Sequence, residues 1–310
     1  MSITVVGSIA YDAVKTPFGE RERMLGGAAV HFALAASFFD RVHVVGPVGE
    51  DFGEAELQAM RDRDIDVSDV ERVAGGKTFF WRGEYGWDLN SRETLDTQLG
   101  VFEGFAPKLS DTSRSSDVLF LANIQPDLQR EVRTQLPAAK FVALDSMNLW
   151  IEIARDSLVA AIELCDCVIL NDAELRQLTG KPNLFAAARE VLTWGPKVIV
   201  AKQGEYGAAL VTAERFFSLP AYPLETVVDP TGAGDTFAGG FVGYIAAHLG
   251  DGELSDELLR AAMAHGTALA SFNVEEFGTE RVVRLSEDEI ATRVAELREI
   301  TSFSGAPATS

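Results

Sequence analysis

The sequence predicts an α/β protein whose mostly parallel sheet is covered by helices on both faces. Short apolar runs rich in β-branched residues alternate with helical patterns from the N-terminus to residue 202. Such alternation implies right-handed crossovers between parallel strands. The chain has 310 residues, 47% of them hydrophobic, which suits one large domain with a sizeable core.

The pattern gives a definite order of elements. The predicted strands cover residues 3–7, 42–46, 118–122, 141–145, 168–171 and 197–202. The predicted helices between them cover residues 28–39, 54–63, 128–136, 151–164, 173–179 and 186–194. A hairpin at 208–212 and 215–219 and three long helices at 234–249, 255–272 and 287–300 follow. We expect one domain over residues 1–300 and a disordered polar tail over 301–310.

Residues 77–99 interrupt the α/β alternation. They are rich in aromatic and β-branched residues and have no helical period, so they predict two or more antiparallel strands that leave the main domain. Residues 13–25 add a further short strand. Together the two segments predict a small β lid over a ligand site. An ordinary edge hairpin or a dimer contact is the alternative.

The charge and the apolar runs exclude several classes of partner. The formal net charge is -20, which disfavours binding to nucleic acid and to anionic membranes. No apolar run approaches the roughly 18 residues of a membrane-spanning helix. The N-terminus has no basic segment before its apolar run, unlike a signal peptide. We expect a soluble cytoplasmic protein whose acidity serves solubility or a salty habitat.

The two cysteines do not suggest a metal or redox site. Cys165 and Cys167 lie at the end of a predicted helix and the start of a predicted strand, without a further Cys or a His nearby to complete a zinc site. Within a strand they would point to opposite faces, which argues against a disulfide between them. We expect buried thiols with a structural role.

The segment Val-Asp-Pro-Thr-Gly-Ala-Gly-Asp-Thr-Phe (residues 228–237) carries the strongest chemical signal. Gly232 and Gly234 permit unusual dihedrals and close backbone approach just before an apolar helix. The unpaired N–H groups at a helix start carry partial positive charge and suit a phosphoryl group. Asp235 stands at the same place, where a carboxylate hinders simple anion binding but can take a proton from an attacking hydroxyl.

The alternative for this segment is a glycine-rich turn in which Asp235 caps the helix. The segment is not a P-loop, because no Gly-Lys-Ser/Thr follows, and it lacks the surroundings of a dinucleotide-binding fingerprint.

Residues 229–237 closely resemble the C-terminal signature of the ribokinase-like (PfkB) carbohydrate and nucleoside kinases. Further segments match that family in its order along the chain. They are Gly-Ser-Ile-Ala-Tyr-Asp (7–12), Gly-Gly-Ala-Ala (26–29), Gly-Pro-Val-Gly-Glu-Asp-Phe-Gly (46–53), Asn-Asp-Ala-Glu (171–174) and Gly-Glu-Tyr-Gly (204–207). The resemblance implies a ribokinase-like three-layer α/β/α sandwich with a small β lid.

The resemblance also implies roles for particular residues in an ATP-dependent kinase. Asp235 would be the general base, and the backbone of Gly232, Ala233 and Gly234 would form the anion hole. The residues implied on the substrate side are Asp12, Gly26, Gly27 and Asn123. Those implied on the nucleotide side are Lys202, Gly204, Gly207, Thr231, His265 and Asn273. From the residues alone, the alternative for Asp12 is a turn residue after the first strand, and that for His265 is a core or surface histidine.

Two cation sites follow from the same resemblance. Asn171 and Glu174 would hold Mg²⁺ through water, although a helix cap and a surface acid explain them equally from the residues alone. Asp229 with Thr231 matches one half of a K⁺ site, and residues 273–278 would supply carbonyls. In this family the lid can also form a dimer interface, so we expect a homodimer through the lid.

The acceptor is left open by the sequence. The stretch between Asp12 and Gly26 is short for the family, and the Asp-Ser-Met-Asn segment (145–148) departs from the usual sugar-kinase pattern. Aromatic residues of the lid suit a nucleobase, whereas its polar residues suit sugar hydroxyls. We expect a sugar or polyol kinase, with an adenosine-, inosine- or cytidine-type nucleoside kinase as the alternative. A non-catalytic sugar or nucleotide binding protein is a remote third interpretation.

Overall fold

A nine-stranded sheet forms the centre of the computed structural model, which describes residues 1–250 and 253–302. Its strands are β1 (Ser2–Val6), β4 (Arg41–Gly49), β5 (Val70–Val73), β8 (Val118–Leu121), β9 (Phe141–Asp145), β10 (Cys167–Asn171), β11 (Val198–Lys202), β12 (Ala208–Val211) and β13 (Phe216–Leu219). Their order across the sheet is β13-β12-β11-β10-β9-β8-β1-β4-β5. The run from β11 to β5 is parallel, and β12 and β13 add an antiparallel edge. The mostly parallel sheet is thereby confirmed.

Helices cover both faces because each central strand is apolar on both sides. The helices are α1 (Ala28–Ala36), α2 (Glu54–Arg61), α3 (Asp111–Arg114), α4 (Pro126–Gln135), α5 (Asn148–Ile153), α6 (Arg155–Ile162), α7 (Asp172–Thr179), α8 (Leu184–Leu192), α9 (Ala233–Leu249), α10 (Asp256–Asn273), α11 (Glu280–Val283) and α12 (Glu287–Thr301). One core packs α1, α9 and α10 on the sheet, and the other packs α4, α6, α7 and α8. No helix of the described ranges is long and apolar enough to cross a membrane.

A separate four-stranded sheet stands beside the central one, with strand order β3-β2-β6-β7. Its strands are β2 (Ala10–Thr16), β3 (Gly19–Gly26), β6 (Phe79–Tyr85) and β7 (Arg92–Gln98). β6 and β7 are antiparallel, whereas β2 joins β6 in parallel. β2 and β3 thus form a hairpin, whereas the sequence predicted one short strand within residues 13–25. We call these four strands the lid sheet.

Several element boundaries differ from the sequence predictions. The single helix predicted over 151–164 is two helices, because the extended φ of -143° at Ala154 separates α5 from α6. β5 was not predicted, since Val70–Val73 has only half-buried valines to mark it. The last helix extends to Thr301, and residues 303–310 of the predicted tail lie outside the described residues.

Both thiols are buried and free, as the spacing of the two cysteines predicts. Burial raises the pKa of Cys165 to about 12 and that of Cys167 well above its usual value. Thiols held in the protonated form are poor nucleophiles and poor metal ligands, so these two serve the core.

Candidate active site

The carboxyl edge of the central sheet gathers the polar residues predicted from the sequence. From β1 the chain moves to β4 and β5 at one edge and then returns to β8 on the other side of β1. Ligands bind outside the carboxyl ends of strands at such a switch point. Four polar residues lie at the carboxyl ends of the strands on the β8 side of β1, namely Asn123, Asp145, Asn171 and Lys202.

The loop before α9 is held in one conformation by buried hydrogen bonds. The two carboxylate oxygens of Asp229 accept from the backbone amides of Thr231 and Gly278, both at 2.9 Å. Gly232 has a φ of +74°, and a Cβ atom there would lie 2.3 Å from the His31 ring. Only glycine satisfies both the dihedral and the contact. The loop therefore places the start of α9 at the site, where the Ala233 amide donates to the Pro230 carbonyl at 3.2 Å.

Asn273 and His31 support this loop from behind. The Asn273 side chain donates to the Thr231 carbonyl at 2.8 Å and accepts from the Thr236 hydroxyl at 3.0 Å. Its Oδ1 also lies 3.2 Å from Nδ1 of His31, and both side chains are buried. Burial lowers the pKa of His31 to about 4, so the ring is neutral at physiological pH. These contacts give Asn273 a supporting place behind the loop, and its predicted place on the nucleotide side stays a prediction.

Asp235 occupies the first turn of α9, directly after the glycine-rich loop. Burial raises the pKa of its carboxyl above the usual value, and the nearby charge of Asp145 raises it further. The positive charge of Lys202 lowers the pKa of Asp235. A carboxylate whose pKa is raised toward neutrality is a stronger base than a free aspartate, and it stands beside a set of backbone donors.

The predicted substrate-side residues Asp12, Gly26 and Gly27 form one pocket wall. Asp12 lies in β2 opposite the end of β3, and a Cβ atom at Gly26 would lie 2.0 Å from its Oδ2 atom. The Gly27 backbone amide donates to the same carboxylate. Burial raises the pKa of Asp12 to about 7, with a contribution from Asp229. A buried carboxyl of this kind can pair with hydroxyl groups of a ligand.

A second group of charges lies at the ends of β9, β10 and β11. Lys202 Nζ donates to Asp145 Oδ2 at 3.0 Å. Asn171 and Glu174 form a reciprocal capping box at the start of α7, with both hydrogen bonds at 2.8 Å. Glu174 is nevertheless buried, and burial raises the pKa of its carboxyl. The pair is therefore a helix cap whose acid faces the site.

The lid sheet reaches the glycine-rich loop. The Thr231 hydroxyl donates to the Tyr85 hydroxyl at 3.2 Å, and Tyr85 packs with Val14 and Phe277. Arg92 is paired with Tyr85 across the hairpin, and its charge opposes the burial that raises the pKa of Asp12 and Asp235. The lid thus contributes one phenol and one guanidinium to the site.

The remaining nucleotide-side residues are more dispersed. Gly204 and Gly207 form the turn between β11 and β12, and Asn90 from the lid hairpin donates to Glu205 in that turn at 3.2 Å. His265 stacks on Tyr244 at 4.1 Å and packs edge-on against Phe39, within the helical layer. An aromatic cluster accounts for these contacts, and the place of His265 on the nucleotide side stays a prediction.

Asn123 lies just after β8, and its side-chain amide contacts Trp150 and Met147. Its Oδ1 accepts from the Trp150 indole at 3.0 Å, and its Nδ2 lies 3.1 Å from Met147 Sδ. Its predicted contact with substrate stays a prediction. Among the lid aromatics, Trp87 is 88% exposed and so offers no closed surface to a nucleobase.

Sequence reasoning gave no role to His31 or Asp145, which the structure places at the site. It included Tyr85 only among the lid aromatics that suit a nucleobase, and Arg92 only among the polar lid residues that suit sugar hydroxyls. His31 had a usable signal, since it is the one strongly polar residue in α1. Asp145 also had one, because an acid directly after four buried strand residues belongs at a carboxyl edge. Tyr85 and Arg92 depend on the register of the lid hairpin, which the sequence does not specify.

The raised pKa of Asp235 predicts the pH dependence of activity. A base must be ionised, so raising its pKa moves the loss of activity from strongly acidic pH toward neutrality. We expect kcat/KM to fall with decreasing pH, with a midpoint clearly above 3.8, the ordinary pKa of an aspartate. Steady-state rates between about pH 4.5 and 8.5 measure this limb. A rate that stays flat over the whole range would contradict the raised pKa.

The chain is similar to known proteins over most of its length. A family model described as pfkB family carbohydrate kinase matches residues 2–284. The cytidine kinase of Thermococcus kodakarensis is 32% identical over 251 residues, covering 79% of this chain and 88% of that protein. The ribokinase of Lactococcus lactis is 26% identical over 289 residues, covering 88% and 92%.

A solved structure supports the fold in the same way. Arabidopsis thaliana ribokinase, complexed with ribose and ATP, superimposes with a TM-score of 0.75 at 22% identity. The match covers 94% of this chain and 98% of that one. The three-layer sandwich predicted from the sequence is confirmed.

Proposed function

Because the chain belongs to the pfkB family of carbohydrate kinases, we propose that it transfers the γ-phosphoryl group of ATP to a hydroxyl group of a sugar or polyol. The observation that carries the proposal is the position of Asp235, in the first turn of α9 and immediately after the glycine-rich loop. A base and a set of phosphate-binding amides at one point are the two elements that hydroxyl-to-phosphate transfer needs.

The residues divide the reaction between them. Asp12 and the backbone beside it orient the acceptor, and Asp235 takes the proton of the attacking hydroxyl. The backbone N–H groups of Gly232 and Gly234, and that of Ala233 once it exchanges its bond to the Pro230 carbonyl, stabilise the charge of the transferring phosphoryl group. The lid sheet excludes water, which would otherwise accept the phosphate. Catalysis of this kind depends on positioning, and the buried hydrogen bonds of the loop supply it.

Asn171 and Glu174 suit a Mg²⁺ ion that is bound mainly by ATP and water. No group of three or more His, Cys, Asp or Glu side chains within residues 1–250 and 253–302 forms a metal cage. Glu174 is buried and uses Oε2 in the capping box, which leaves its second oxygen for a metal-bound water. Asn171 and Glu174 would hold the ion in this way, and the ion would neutralise phosphate charge.

K⁺ is a further cation that we propose for the loop region. Asp229 already accepts two backbone amides, so it would orient the loop while the carbonyls of residues 273–278 contact the ion. Rates measured in K⁺ and in a large organic cation test this point. Equal rates in both would remove the K⁺ proposal.

A nucleoside is the second candidate acceptor, and the 32% identity to a cytidine kinase favours it. ADP release measured with MgATP against a panel of sugars, polyols and nucleosides separates the two. We expect one acceptor to stand out, and its class decides between the candidates. ATP binding without acceptor-dependent ADP release across a broad panel would favour the binding-protein interpretation.

The hydrogen bond between the lid and the loop predicts a specific kinetic effect. Replacing Tyr85 with Phe removes the acceptor of the Thr231 hydroxyl, and we expect KM for the sugar or nucleoside to rise about 5-fold, as the loss of about 1 kcal/mol implies. Tyr206→Phe is the control, because Tyr206 is 75% exposed in the turn after β11. Equal KM values for both variants would contradict a lid that closes on this loop.

Assembly and location complete the proposal. β3 and β7 are the edge strands of the lid sheet, and β7 exposes Leu95 (50%), a surface that pairing with a second copy would cover. We therefore propose a homodimer through the lid, which sedimentation equilibrium tests directly. We also propose a cytoplasmic location, since that compartment supplies ATP.

A further inference from the structure

Lys202 brings its ammonium group directly onto the backbone of the glycine-rich loop. A Cβ atom built at Gly234 would lie 3.0 Å from Lys202 Nζ and 3.6 Å from the two carbons before it. The lysine side chain is only 17% exposed, and its hydrogen-bond partner is Asp145, 3.0 Å away. This cation therefore stands inside the site, beside the first turn of α9.

Lys202 lies between carboxylates and the amide-rich start of α9. Burial lowers the pKa of its ammonium, but the charges of Asp145, Glu174 and Asp235 raise it, so the side chain stays protonated. The start of α9 carries partial positive charge, and a lysine ammonium next to it adds a second positive group. Two kinds of donor thus converge on one point. An anion bound between the ammonium and the loop amides would satisfy both at once.

The ion pair with Asp145 has no evident structural purpose in the sheet. Lys202 ends β11 and Asp145 ends β9, and both strands are already hydrogen-bonded to β10 between them. A buried ion pair contributes little net stability compared with apolar packing. The second carboxylate oxygen of Asp145 accepts from the Ser146 amide at 2.8 Å, which fixes the orientation of the carboxylate. Asp145 therefore acts as a rigid anchor for the lysine.

We propose that Lys202 is a further catalytic residue, whose ammonium contacts the transferring phosphoryl group, and that Asp145 is the positioning residue that holds it there. The proposal rests on the proposed kinase function. During phosphoryl transfer, the bond from the γ-phosphorus to the bridging oxygen of ATP breaks and a bond from the acceptor oxygen to the same phosphorus forms. ADP leaves with the electron pair, and the acceptor proton passes to Asp235. Lys202 keeps its protons and balances the charge on the phosphoryl oxygens.

The experiment compares nucleotides with and without a γ-phosphoryl group. Calorimetry with Lys202→Met should show binding of the β,γ-imido analogue of ATP weakened at least about 10-fold, with ADP binding unchanged, since one charge-assisted contact to the γ-phosphoryl group is lost. kcat should fall by about 10²–10³-fold, as on removal of one donor to a developing charge, while KM for the acceptor stays constant. Asp145→Asn should lower the analogue affinity by less, because the lysine remains but is less well held.

A matched control and a second variant make the test decisive. Lys197 pairs with Asp166 at 3.0 Å at the opposite end of β11, so Lys197→Met removes an ion pair of equal length far from the loop and should change neither nucleotide affinity. Lys202→Arg keeps the charge and should retain most of the preference for the analogue over ADP, even if Lys202→Met does not fold.

The outcomes separate this proposal from the kinase function itself. Equal weakening of ADP and analogue binding in Lys202→Met, or no weakening of either, would overturn a contact with the transferring group. Loss of the preference in Lys202→Arg as complete as in Lys202→Met would also overturn it. If the wild type bound the analogue in preference to ADP but transferred phosphate to no acceptor, the proposed function would fail while the lysine contact stood.

Discussion

Replacing Asp235 with Asn lowers kcat by about 10²–10⁴-fold and leaves ATP bound at least as tightly as in the wild type. The amide has nearly the shape of the carboxylate but cannot accept the proton of the attacking hydroxyl. Removing a negative charge beside the phosphate-binding loop also relieves repulsion of ATP. Steady-state kinetics with the best acceptor and calorimetric titration with ATP measure the two effects separately.

Asp256→Asn is the matched control for this experiment. Asp256 also lies in the first turn of a long helix, α10, and its partners are Arg215 and Arg260 on the surface. We expect the control to keep the wild-type kcat. Comparable turnover in Asp235→Asn and Asp256→Asn would show that Asp235 is not the base.

Gly232→Ala should be the most damaging small substitution in the glycine-rich loop. The added methyl group would lie 2.3 Å from the His31 ring, which Asn273 holds in place, at a φ of +74° that alanine rarely adopts. Strain and overpacking together should cost about 2–5 kcal/mol of unfolding free energy. Displaced loop amides should also lower kcat by about 10²-fold or more. Urea unfolding and steady-state kinetics measure these losses.

Gly180→Ala separates the dihedral strain from the clash. Gly180 ends α7 with a φ of +69°, but nothing lies within 4 Å of a Cβ atom there. This variant should lose about 1 kcal/mol and keep full activity. A Gly232→Ala protein no less stable than Gly180→Ala would contradict the tight contact with His31.

Much of the fold follows from local sequence patterns. The central strands of the nine-stranded sheet are buried and apolar on both faces, and such strands predict a parallel sheet between helices. The glycine-rich loop is equally local, since the helix start, the glycines and Asp235 are adjacent in the chain. The predicted family and its sandwich fold were therefore confirmed.

The parts that the sequence did not predict depend on long-range pairing. Tyr85 reaches Thr231 only because β6 pairs with β2 and β7 in one register, and a shift by one residue would turn it away. Asn273 is 42 residues from Thr231, and only the packing of α10 shows that its amide supports the loop. Lys202 and Asp145 are 57 residues apart, and the order of strands brings them together.

The central claim is that Asp235 is the general base in the transfer of the γ-phosphoryl group of ATP to a hydroxyl group. Phosphorus NMR of the reaction with the best acceptor tests it most directly, because it distinguishes a phosphate ester from free phosphate. We expect a phosphomonoester of the acceptor that appears with ADP in equal amounts and is absent with Asp235→Asn. Free phosphate as the sole product, or an unchanged yield of the ester with Asp235→Asn, would contradict the claim.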